Sequence, residues 1–337
     1  MGYSLYQTMN KTGAAHNTFV FIQHQYSIRM SLFETADQIR TMQIRGAGTI
    51  ARAAAAALSE YAQSLSASDI TDWKKEMQHA ADTLVETRPT AVSLPNAVNI
   101  VMQSMQDTTT ISEAKSAIMA AASSFITSSE NAITRIGSLG SHYIRDGDVV
   151  LTHCNSQAAL ACLLTAKNEG RDFKVIATEV RPWWQGHKTI QTLNDAGIRT
   201  DFIVDSAVRY CMKEVNLVIV GADAIAVNGA VANKIGTSQI ALAAHEARVR
   251  FLVAAECYKF APKTILGDET EIEERNPDEV LAPQIRASLP FVKVRNPVFD
   301  ITPPGYIDLI LTEIGAISPQ MAYIIMRDYL GWNKNIR

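Results

Sequence analysis

Two apolar runs end in groups that can move protons. Asp148-Val149-Val150-Leu151-Thr152-His153-Cys154 stops at a thiol and enters a helix-like stretch through Asn155-Ser156, and Leu217-Val218-Ile219-Val220-Gly221-Ala222-Asp223 stops at a carboxylate. Asn228 to Thr237 then carries the Asn233-Lys234 pair between Gly229 and Gly236 and leads into another helix. Each of these groups falls where a strand of a parallel sheet would end. In open α/β sheets ligands sit outside the carboxyl ends of the strands, so Cys154, Asp223, Asn233 and Lys234 are expected to share one crevice. A thiol, an acid and an amide–ammonium clamp imply proton transfer on a phosphorylated metabolite.

Each residue also has a plainer reading. A cysteine chosen without regard to position is usually a small buried apolar residue. At a strand end facing the next helix N-terminus, Cys154 experiences a field that favours thiolate, the form that acts as base or nucleophile. Asp223 reads equally as a turn or N-cap carboxylate, or as an acid whose apolar surroundings keep it protonated. Asn233 and Lys234 could be a solvated loop; the glycines and the following helix suit phosphate held by amide, ammonium and backbone donors. Ile44-Arg45-Gly46-Ala47-Gly48 precedes an Ala-rich helix and is either a helix-to-helix turn or an anion-binding N-terminus with Arg45 adding charge. Lys259, Arg88 and Arg181 are further cation candidates, for each of which a surface ion pair is the commoner role. His153 adjoins the thiol, but neighbouring strand residues point to opposite faces, which argues against a direct Cys–His couple.

The elements that must position these groups change character along the 337 residues. Helical periodicity marks Leu32 to Met42, Thr49 to Ser64, Ile70 to Leu84, Leu94 to Gln106 and Ile111 to Ile144. From Asp148, strand-like runs at 149–152, 174–178, 199–204, 217–220, 250–254, 292–294 and 307–311 alternate with helical segments. That is the pattern of βαβ units. The expected architecture is an N-terminal helical domain over 30–146 and a Rossmann-like, doubly wound parallel sheet domain over 147–337. Residues 1–29 form a polar lead with one short apolar stretch, Phe19 to Ile22, expected to be a disordered extension and neither a signal peptide nor a membrane span, with Met30 a candidate start.

Composition narrows the class. Hydrophobic residues make up 47% and charged residues 19%, the balance of a globular protein, and a net charge of -3 argues against a broad nucleic-acid surface. Cys154, Cys162, Cys211 and Cys257 have neither metal spacing nor the number for a disulfide framework, which points to a reducing, cytoplasmic setting. Cys162, Cys211 and Cys257 are assigned to packing. No metal site is expected, and no membrane or nucleic-acid partner.

Seven runs together resemble a known superfamily: Arg45-Gly46-Ala47-Gly48, Arg88-Pro89-Thr90-Ala91-Val92, Thr152-His153-Cys154-Asn155-Ser156, Glu179-Val180-Arg181-Pro182, Gly221-Ala222-Asp223, Asn233-Lys234-Ile235-Gly236-Thr237 and Phe299-Asp300-Ile301-Thr302-Pro303-Pro304. The superfamily contains archaeal ribose-1,5-bisphosphate isomerase, methylthioribose-1-phosphate isomerase and the regulatory subunits of the eukaryotic exchange factor for translation initiation factor two. Gly48, where methylthioribose-phosphate isomerases usually have proline, and the run Ala255 to Phe260 make the first the nearest resemblance.

That resemblance implies conversion of α-D-ribose 1,5-bisphosphate to D-ribulose 1,5-bisphosphate in archaeal AMP degradation. It implies Cys154 as base and Asp223 as acid, without a cofactor. The substrate would be held by Arg45, Gly46, Ala47, Gly48, Arg88, Ser156, Gln157, Ala158, Asn233, Lys234 and Lys259. A homohexamer built as a trimer of dimers is implied, and AMP is a candidate activator with no residue assigned to it. The two alternatives are the methylthioribose-phosphate reaction and a non-catalytic regulatory subunit.

Overall fold

The computed structural model describes residues 32–88, 90–266 and 272–329. The expectations for residues 1–29 and Met30, and Pro89 of the second motif, lie outside the described residues.

Among the described residues five helices come first: α1 (Leu32–Arg40), α2 (Ala47–Ser64), α3 (Ile70–Val85), α4 (Ser93–Gln103) and α5 (Ile111–Ser141). Two of their starts are set by side chains. The Asp69 carboxylate accepts from the amides of Thr71 and Asp72, and Thr110 with Glu113 forms a capping box that opens α5. The alanines of α2 at 51, 54 and 55 are fully buried with Leu58, letting the helix lie close to its neighbours around Trp73, Met77 and Leu84.

The chain then enters a seven-stranded sheet. Strands β1 (Val149–Thr152), β2 (Lys174–Thr178), β3 (Arg199–Ile203) and β4 (Leu217–Val220) alternate with helices α6 (Gln157–Asn168), α7 (Gly186–Asp195) and α8 (Val208–Cys211). A short hairpin follows, β5 (Ala224–Ile225) and β6 (Val231–Lys234), then α9 (Thr237–Ala247) and β7 (Arg250–Ala254). Strands β8 (Phe299–Thr302), β9 (Leu309–Thr312) and β10 (Gly315–Ile317) complete the set. The large sheet has the order β10-β9-β7-β4-β1-β2-β3, parallel throughout except for β10 against β9. The chain winds outward from β1 through β2 to β3, then returns to the other side of β1 and winds outward through β4 and β7. The switch point therefore lies between β1 and β4, and Cys154 and Asp223 follow those two strands.

Helical and α/β parts meet where α5 crosses α6. A Cβ on Gly140 would sit 2.1 Å from the Cys162 sulfur, so only glycine admits this approach. Cys162 is buried and donates to the carbonyls of Ala158 and Ile136, the packing role expected of it.

Two expectations need correction. The Asn233-Lys234 pair does not end a strand of the parallel sheet. It ends β6, the middle strand of a separate antiparallel sheet β5-β6-β8, with Asn233 opposite Asp300 and Lys234 opposite Phe299. The run 292–294 is not a strand and Val292 is half exposed; β-branched alternation supplies propensity but no partner, and the pairing goes to Phe299–Thr302 instead.

Candidate active site

The thiol is presented by an unusual backbone. Cys154 has φ +66°, a left-handed conformation that costs a residue with a Cβ and persists only where neighbours hold it. Thr189 of α7 donates its hydroxyl to the Cys154 carbonyl at 2.7 Å, and Ser156 caps α6 by accepting from the Ala159 amide. Gly221, at the end of β4, lets the neighbouring loop close over this turn: a Cβ there would lie 2.3 Å from the Ser156 hydroxyl.

Beyond these strand ends lies a cavity of about 200 Å³. Its walls include every residue expected at the site: Arg45, Gly46, Ala47, Gly48, Arg88, Cys154, Ser156, Gln157, Ala158, Asp223, Asn233, Lys234 and Lys259. Arg181 is not among them; its guanidinium stacks over Trp184 at 4.9 Å. The N-termini of α2 and α6 both open onto the cavity. Gly46 takes the N-cap of α2 at φ +90° with no side chain capping the helix, which leaves its first amides turned to the space where an anion would lie.

The N-terminus of α9 is different. Asp300 accepts from the Gly236 amide at 2.8 Å and from the Ser238 amide at 3.1 Å, and Asn233 donates to the Thr237 hydroxyl. The expected backbone phosphate clamp after Lys234 is therefore occupied by the protein's own carboxylate. What remains there for a ligand is the Lys234 ammonium. Burial raises Asp300 from 3.8 to about 6, against the pull of those amides.

Charge around the cavity is unevenly compensated. Lys259 Nζ lies 2.7 Å from Glu256 Oε2, both side chains buried, and Tyr258 donates its hydroxyl to Glu256 Oε1 at 2.8 Å. Burial pushes Glu256 up, yet Lys259 and these hydrogen bonds outweigh it and hold the carboxyl below its ordinary range. The Tyr258 hydroxyl accepts from Ser129, Ser129 accepts from Arg52, and Arg52 also reaches Gln157, so one chain of polar contacts links α2, α5 and α6. Arg88 and Arg275 share Glu273 at 2.8 and 2.9 Å, and Arg45 stacks on Trp183 at 4.4 Å. Lys234 has the Phe299 ring face 5.1 Å from its ammonium, and burial lowers its pKa while Cys154 and Asp223 draw it back up.

The field expected to favour thiolate at Cys154 is outweighed by burial. Burial pushes the thiol up to about 11, with Lys234 pulling downward and Asp223 and Asp205 pushing further up. A helix N-terminus and one lysine do not offset that desolvation. Glu256, Arg275, Lys188 and Phe299 also line the cavity; none was expected at the site, although Phe299 and Glu256 lie in runs that carry the family resemblance. Glu256 sits beside Lys259 in a run from which the lysine alone was expected there, and Arg275 lies in Glu273-Glu274-Arg275-Asn276-Pro277, which has the composition of a solvated loop.

Comparison with known proteins places the chain in a family of this fold. The model of the Initiation factor 2 subunit family matches residues 43–319. The chain belongs to this family. Within it, a protein of Methanocaldococcus jannaschii named ribose 1,5-bisphosphate isomerase is 52% identical over 299 residues, covering 89% of this chain and 95% of the relative. A protein of the same name from Archaeoglobus fulgidus is 53% identical over 301 residues, covering 89% and 94%. Among solved structures, one described as translation initiation factor eIF-2B from Pyrococcus horikoshii superposes with a TM-score of 0.74 at 32% identity, over 86% of this chain and 97% of that one. Family members thus share the mostly parallel sheet with helices before it, and the thiol, acid and cations of this chain sit at that sheet's switch point.

Proposed function

We propose that this chain is an aldose–ketose isomerase that converts ribose 1,5-bisphosphate to ribulose 1,5-bisphosphate. The observation that carries the reading is the placement of Cys154 and Asp223 after adjacent strands, on one cavity walled by arginines and lysines. Relatives at 52% and 53% identity bear the name of that activity.

The phosphate on C1 prevents the spontaneous ring opening available to a free aldose, so acid must reach the ring oxygen as the C2 proton leaves. The step uses Cys154 as the thiolate and Asp223 as the carboxylic acid. The thiolate takes the proton from C2, the C1–C2 double bond forms, the bond from C1 to the ring oxygen breaks, and Asp223 protonates that oxygen. The resulting enol phosphate receives the proton from sulfur at C1 and loses its C2 hydroxyl proton to Asp223. Atoms balance, and oxidation at C2 is matched by reduction at C1, so the step requires no external redox partner. Lys234, which acts on Cys154 and Asp223 alike, stabilises the thiolate. The two phosphates take the uncapped end of α2 and the cavity-lining end of α6, with Arg45, Arg88 and Lys234 around them.

A place in nucleoside monophosphate degradation and a hexamer assembled as a trimer of dimers belong to the same proposal; light scattering of the purified protein tests the latter. Among the described residues no helix is long and apolar enough to cross a membrane. Incubating purified protein with ribose 1,5-bisphosphate, and in parallel with methylthioribose 1-phosphate, should yield a ketose from the bisphosphate. Turnover of the second sugar alone, or of neither, rejects the assignment.

A further inference from the structure

His153 adjoins the thiol yet takes no part in the chemistry above. Its side chain is 1% exposed and turns away from Cys154. Nε2 lies 2.9 Å from the Ile235 carbonyl and Nδ1 lies 2.6 Å from the Thr178 hydroxyl. A carbonyl can only accept, so Nε2 carries the proton. Burial lowers the pKa of the ring, so it is neutral and Nδ1 accepts from Thr178. One imidazole therefore ties three elements together: the end of β1, the end of β2 and the corner that follows β6. Gly236 shapes the contact, since a Cβ there would come within 3.2 Å of the ring, and its φ is +102°.

The tied corner contains Lys234. Removing the bond to Ile235 would release the antiparallel hairpin from the parallel sheet at the corner whose buried ammonium shares the cavity wall with Cys154 and acts on it electrostatically. We propose that His153 is a positioning residue, which clamps the Lys234–Gly236 corner to the β1 terminus and so fixes the Lys234 ammonium beside the Cys154 thiol. This deepens the isomerase reading and rests on it for its catalytic meaning, but the clamp itself can be read without any substrate. The charged and titratable groups facing Cys154 and Lys234 are Asp223 after β4, Asp205 after β3, and Glu273 with Arg275. None of these is held by His153 through a hydrogen bond.

The experiment is alkylation of the intact protein by iodoacetamide from pH 7 to 11, with modification at Cys154 followed by peptide mass spectrometry. Below the thiol pKa the rate tracks the thiolate fraction, so an upward shift of one unit appears as an about tenfold slower reaction at each pH. His153→Leu should slow Cys154 by about tenfold, and Lys234→Met should slow it at least as much. Adding His153→Leu to Lys234→Met should change nothing further, because both act through one ammonium. His153→Gln, whose amide can donate to Ile235, should stay within about twofold of the parent. Equal slowing by Leu in both backgrounds, no slowing by Leu, or equal slowing by Gln and Leu each overturns the clamp. Should His153→Leu fail to fold, Thr178→Val removes one end of the same tie and should slow alkylation in the same direction; an unchanged rate there overturns the proposal. Since no sugar enters the measurement, a failed clamp leaves the isomerase assignment standing, and a failed isomerase assay leaves the alkylation result intact.

Discussion

Lys234 and Lys259 line the same cavity and are both buried, yet their charges are handled in opposite ways. Lys259 has a carboxylate 2.7 Å away, itself fixed by Tyr258. Lys234 faces an aromatic ring, a thiol and Asp223. A buried ion pair is mainly a structural commitment, because removing one partner strands the other. An ammonium with no carboxylate at ion-pair distance among the described residues keeps its field for whatever enters the cavity. The same contrast separates two helix N-termini: that of α9 is occupied by Asp300, whereas that of α2 carries no side-chain cap and opens onto the cavity. Position in a pocket thus says less about function than whether the protein has already satisfied the group.

The largest effect should come from the chemistry itself. Cys154→Ser and Asp223→Asn should each lower kcat by about 10²- to 10⁴-fold, with bisphosphate affinity measured calorimetrically remaining near that of the parent. A serine variant with parental turnover removes the thiol from the mechanism. Next is Glu256→Gln, which leaves the Lys259 ammonium buried without its counter-charge; urea unfolding should show a loss of about 3–5 kcal/mol, largely recovered when Lys259→Met is added.

Lys234→Met should do the reverse, leaving unfolding stability level or higher while raising KM by about tenfold or more, as the loss of a charge-assisted contact to phosphate implies. If the two lysines behave alike in both measurements, the contrast fails. The smallest effect concerns Asp300. Its native pKa, about 6, lies above the ordinary 3.8, so its contribution to stability is fully present below 3.8 and is lost as pH rises through 6. Parent Tm minus Asp300→Asn Tm should therefore be larger at pH 4 than at pH 7, with the change corresponding to roughly 2 kcal/mol.

Much of the frame was legible because its signals are local. Short continuous apolar runs placed β1, β2, β4 and β7 with their observed bounds, and the helices from Leu32 to Ser141 followed their apolar spacing to within a few residues of each end. Strands β5, β6, β8 and β10 were not read. They are short, and β6 contains the Asn-Lys pair that looked like a loop. Their pairing comes from segments far along the chain, as Lys234 with Phe299 illustrates. Every expected site residue reached one cavity, but the partners of those residues were invisible: Glu256 for Lys259, Asp300 for the α9 amides, Glu273 for Arg88.

By itself, then, the sequence determined the alternation of helix and strand, the strand ends that present Cys154 and Asp223, and the family motifs. These depend on periodicity and residue type over short spans. Tertiary structure alone decided which cations stay available, which helix end stays uncapped, and that burial pushes the Cys154 thiol up. Those properties depend on desolvation and on charges brought together from distant segments, and both come into being only when the chain is packed.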